Sequence, residues 1–69
     1  MAHFKATEFV EQTLEQTGRI EHYTAEDNFS AAKMCLYTHQ LHNGSAKLGH
    51  TGLVVYCGQL GYVVTAVKP

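Results

Sequence analysis

The chain has 69 residues, 45% hydrophobic and 16% charged, with one proline, two cysteines and a net charge of −1. That length holds one domain, residues 1–69, and the apolar content is too high for a disordered chain. No apolar run approaches the roughly 18–20 residues that cross a bilayer; two cysteines make no disulfide scaffold, and MAHFKATEF lacks a signal peptide's charged-then-apolar layout, so a cytoplasmic protein is expected.

The N-terminal stretch admits two readings. As a strand, Phe4, Ala6, Val10 and Leu14 share a face with Glu8 and Gln12; as a helix over 7–17, Ala6, Phe9, Val10, Thr13 and Leu14 form a stripe that Gly18 ends. GRIEHYT (18–24) reads as a strand, and a strand needs a neighbour. A hairpin of 3–11 with 19–24 supplies one and is preferred over the helix.

The central helix is the clearest element. In TAED (24–27), Thr24 offers an oxygen to the first free amides and Asp27 stands where an acid reaches back, as in a capping box. Ala25, Phe29, Ala32, Leu36 and His39 then fall on one stripe, widened by Ala31, Met34, Cys35 and Leu41. Asn43-Gly44 tolerates a left-handed backbone and stops the helix. The spacing predicts a helix over 25–42.

The C-terminal third reads as sheet. GLVVY (52–56) and GYVVTAV (61–67) are β-branched and aromatic, CGQLG between them supplies a hairpin turn, and AKLGHTG (46–52) extends the first strand. Leu53, Val55 and Cys57 alternate with Val54 and Tyr56, and Val63, Thr65 and Val67 with Val64 and Ala66, so both faces are apolar. One helix covers one face; a second copy or another protein is expected to cover the other. The fold class is α+β: about four antiparallel strands against one long helix, β-β-α-β-β.

Charge is lopsided. Glu8, Glu11, Glu15, Glu21, Glu26 and Asp27 against Lys5 and Arg19 give the first 27 residues −4; Lys33, Lys47 and Lys68 give the remaining 42 residues +3. Such asymmetry marks a partner surface or is mixed over a small fold.

CLYTHQLH (35–42) places Cys35, His39 and His42 at helical spacing, all of them zinc-ligand types. Three ligands along one helix differ from the turn-borne pairs of structural zinc motifs. They are therefore weak metal candidates beside the reading as a buried cysteine with partly exposed histidines, and no cofactor is expected. No phosphate loop is present, and a Cys35–His39 pair has no evident group to orient the base, so the chain is not expected to be an enzyme. Five Lys+Arg are few for tracking phosphates, and direct nucleic-acid binding is not expected. Protein binding remains, with Tyr56 and Tyr62 as contact residues and Glu8, Glu11 and Glu15 facing a basic partner surface.

GRIEHYTAEDNFSAAKMCLY (18–37), followed by a glycine-punctuated hairpin, resembles the build of small phage-encoded inhibitors, in particular anti-CRISPR proteins that block type I interference complexes. Ala31, Ala32, Lys33 and Met34 loosely match a helix segment found in several of them, and the likeness covers about the last fifty residues. It rests on size, element order and composition, and no functional residue is carried over. It implies a stoichiometric inhibitor in the host bacterial cytoplasm that occludes the nucleic-acid-binding surface of a CRISPR-Cas effector. The alternatives are a small homodimeric nucleic-acid-binding regulator and a metal-binding module.

Overall fold

The computed structural model describes residues 1–67. Strands β1 (Ala2–Val10) and β2 (Gln16–Ala25) precede helix α1 (Asn28–Asn43), and β3 (Lys47–Leu48), β4 (Val54–Cys57) and β5 (Leu60–Ala66) follow it. All strand pairs are antiparallel, in the order β2-β1-β5-β4-β3. The helix lies across one face, packed on β2, β4 and β5.

The expected α+β layout is present, with five strands rather than about four. The segment 46–52 does not extend β4: Gly52 turns the chain at φ 79°, and Lys47–Leu48 pairs back on Tyr56 and Val55 as a separate short edge. Residues 7–17 form no helix. β1 continues to Val10, and a turn follows in which Leu14 takes φ 64° and donates its amide to the Val10 carbonyl.

Alternation along β1 buries Phe4, Ala6 and Glu8 toward the helix. Opposite Glu8 the ladder slips between Thr7↔Ile20 and Phe9↔Gln16, and Gly18 occupies φ 92° in the bulge. The β4–β5 hairpin turns through Gly58-Gln59, with Gly58 at φ 63° as the first central residue, a position where glycine avoids a β-carbon clash.

The helix begins later than the expected residue 25. Thr24 and Ala25 are held in β2 by pairing with His3 and Ala2, and Asp27 is the N-cap, accepting the Ser30 amide at 2.8 Å. Gly44 ends the helix in the left-handed region, as its position after Asn43 foretells.

The core is built largely of small side chains. Ala31, Ala32, Cys35 and His39 face the sheet from α1 and meet Phe4, Ala6, Ala25, Val55, Tyr62 and Val64. The expected stripe contains all four but is too wide. Phe29, Met34 and Leu41, which it placed inside, are 56%, 41% and 83% exposed, and Tyr37 is exposed beside them. Small residues inside let the helix approach the sheet closely and leave Met34, Tyr37 and Leu41 outside, while Leu36 packs partly against the core.

Candidate functional site

Two features stand out: a polar network beneath α1 and two outward apolar faces. The network starts at Glu8. Its position in the inward row of β1 puts a carboxylate against the core, and β5 brings Tyr62 directly opposite. The Tyr62 hydroxyl donates to Glu8 Oε2 at 2.6 Å, and Thr17 Oγ1 from the β2 bulge donates to Oε1 at 2.6 Å. Burial raises the Glu8 pKa, but these bonds outweigh it and hold the carboxyl below its ordinary value. Burial, then the bond to Glu8, push the Tyr62 phenol well above its ordinary value.

His39 stacks on Tyr62 with ring centroids 4.1 Å apart. Its Nε2 lies 2.8 Å from Glu21 Oε1, and since a carboxylate only accepts, Nε2–H is the donor. Glu21 also accepts from the Tyr23 hydroxyl at 2.9 Å and from Arg19 at 3.3 Å. Burial pushes Cys35, one helical turn before His39, up to about 11. Glu21, Cys35 and His39 present one ligand atom each, all within 4.8 Å of one another. A cleft of about 390 Å³ reaches Glu8, Arg19, Glu21, His39, His42 and Tyr62.

The first outward face is the helix stripe Met34, Tyr37 and Leu41; Phe29, about a third of a turn from Leu41 around the helix, lays its ring over Gly52. The second is the uncovered side of the sheet. There Lys5, Thr7 and Phe9 of β1 lie between Ile20 and His22 of β2 and Val63 and Thr65 of β5, with Val54 and Tyr56 beyond. Among the described residues this face carries two lysines, Lys5 and Lys47, and Glu11 borders it, lining one depression with Lys47 and Tyr56.

These placements revise the residues singled out by sequence. Glu8 and Tyr62 are not open to a partner: they are 8% and 3% exposed and bonded to each other. Glu11 and Glu15 lie exposed around the β1–β2 turn, and Tyr56 is half-buried on the open face of β4. The structure joins Cys35 and His39 to Glu21 rather than to His42, which is exposed in the last helical turn. Both cysteines are free; Cys57 donates to the Ser45 carbonyl at 3.4 Å. Lys68 lies outside the described residues. Sequence reasoning missed Glu21, Tyr23 and Thr17 as partners of the helix and of Glu8. The alternation of Glu21 and Tyr23 with exposed His22 was the available signal.

Among the described residues no helix is long and apolar enough to cross a membrane. No protein-family model matches the chain, and neither a curated protein nor a solved structure matches it significantly.

Proposed function

We propose that the protein is a non-enzymatic binding protein that blocks a partner protein sterically. The observation that carries this reading is the sorting of the helix by size: alanines and Cys35 inward, Met34, Tyr37 and Leu41 outward on one face. A small domain leaves large apolar residues grouped on one helix face where a partner covers them. The polar network supports a non-catalytic role. Its hydrogen bonds are satisfied internally, and burial keeps the Cys35 thiol protonated at neutral pH, whereas a nucleophilic cysteine needs a thiolate.

The partner class comes from the resemblance to anti-CRISPR proteins: a type I interference complex whose DNA-binding surface is occluded. The acids left to steer association are Glu11, Glu15, Glu26 and Asp27, all exposed. The test is DNA binding by a purified interference complex with and without the protein. Stoichiometric loss of DNA binding supports the reading; unchanged DNA binding at saturating protein removes it.

A second reading has its own observation. The open sheet face sets Phe9 and Tyr56 among Lys5, Lys47, His3 and His22, with Glu11 at its border, a combination of rings and cations that suits single-stranded nucleic acid. Its mark is binding to a labelled oligonucleotide that weakens steeply with salt.

A further inference from the structure

We propose that Glu21, Cys35 and His39 form a binding site for a divalent transition-metal ion of the zinc class. The three donors come from two elements: Glu21 from edge strand β2, Cys35 and His39 from successive turns of α1. The donor set is carboxylate, thiolate and imidazole, each an established zinc ligand. Two of the three are anionic when bound, because a coordinating thiol gives up its proton to the metal. They neutralise the ion's double charge within a partly buried site.

The geometry is close to what the ion needs. A tetrahedral zinc shell spaces its donors about 3.3–3.6 Å apart, and here the three ligand atoms lie within 4.8 Å of one another. The Glu21–His39 hydrogen bond, at 2.8 Å, would open to admit the ion, and Cys35 would turn toward it. The surrounding contacts already hold the ligands in orientation. Arg19 and Tyr23 fix the Glu21 carboxylate, and Tyr62 stacks against the His39 ring. Such outer contacts are a regular part of metal sites. The adjoining cleft is lined by Glu21 and His39, which provides an entry path and a fourth position for water.

The site would tie β2 to the helix. Chains below roughly 70–80 residues commonly need such a staple, since a lone core supplies only about 3–5 kcal/mol. This inference stands apart from the blocking function: a metal that staples the fold is compatible with either reading of the outer faces.

The test is a titration of the chelator-treated full-length chain with Co(II), followed by displacement with Zn(II). The expected result is a thiolate-to-cobalt charge-transfer band with intense tetrahedral d–d bands, saturating at one ion per chain, and a rise in Tm on adding zinc. Cys35→Ala and His39→Gln lose the charge-transfer band or the tetrahedral pattern, and Glu21→Gln weakens binding by about 10-fold or more. His42→Ala binds like the parent. Cys35→Ala removes one buried sulfur and adds neither bulk nor charge; circular dichroism checks that the variant is folded, and its zinc-dependent Tm rise disappears. A parent protein showing only hydrated cobalt and no Tm change overturns the proposal. So do bands that survive Cys35→Ala, or bands lost in His42→Ala but kept in Glu21→Gln.

Discussion

Replacing Tyr62 with Phe removes one oxygen and leaves the ring, its burial and its stacking on His39 in place. What disappears is a 2.6 Å hydrogen bond to the Glu8 carboxylate. A hydrogen bond to a charged group contributes about 1.5–3 kcal/mol. The site favours a value near ~2 kcal/mol, because Thr17 remains as the other donor to Glu8. Against a total of about 3–5 kcal/mol for a chain this short, that is roughly half the stability. For a domain of this size each kcal/mol is about 4–8 °C in Tm, so Tyr62→Phe should melt about 8–16 °C lower at neutral pH. The pH dependence has a definite sign. The Glu8 pKa is lowered in the fold, so its contribution is complete above the ordinary value of 4.5 and is lost as pH falls through the lower, folded value. The gap between Tyr62→Phe and the parent should therefore narrow in acid, toward the ~1 kcal/mol of a neutral hydrogen bond. Thermal melts followed by circular dichroism across that range measure it. Equal Tm values at neutral pH, or a gap that widens in acid, would refute the assignment of Tyr62 as the donor that holds Glu8 ionised.

Other substitutions probe other parts of the account. Asp27→Ala removes the acceptor for the Ser30 amide and should lower Tm at neutral pH. That loss should vanish in acid, because the cap bond depresses the Asp27 pKa and protonation then weakens the parent too. Gly61→Ala puts a β-carbon against the Phe9 ring across the β1–β5 pair; displacing the ring should cost about 1–3 kcal/mol in a denaturant titration. Tyr37→Ser and Leu41→Ser, at positions 62% and 83% exposed, should change stability by no more than about 0.5 kcal/mol while weakening partner binding.

Much of the fold is legible in the chain, and the exceptions have physical causes. The two hairpins follow from alternation and glycine: Gly58 turns the second hairpin, whereas alternation alone, with both faces apolar, leaves open which of them, that of Val55 and Val64, goes inward. Gly44 stops the helix where the Asn-Gly pair says it should. The helix start was misplaced because Thr24 and Asp27 both make good caps; the β1 ladder claims Thr24, and that pairing is a long-range fact. The expected helix stripe contains every buried residue of α1, Ala31, Ala32, Cys35 and His39, but it is too wide: both sides of α1 carry apolar residues, so hydrophobic spacing alone does not exclude Phe29, Met34 and Leu41, which are exposed. Glu8 and Glu21 read as surface acids because their hydrogen-bonding partners, Tyr62 and His39, lie 54 and 18 residues away in the chain. Strand register brings the first pair together and packing of α1 on β2 the second.

The central claim is that the outer face of α1 binds and blocks another protein, and a competition assay tests it most directly. Target-DNA binding by a purified type I interference complex would be titrated with the parent protein and with the folded Tyr37→Ser/Leu41→Ser double variant. The account predicts that the parent abolishes DNA binding near one equivalent, and that the variant, with an unchanged melting temperature, fails to do so. Full DNA binding in the presence of excess parent protein, or equal inhibition by the double variant, would contradict it.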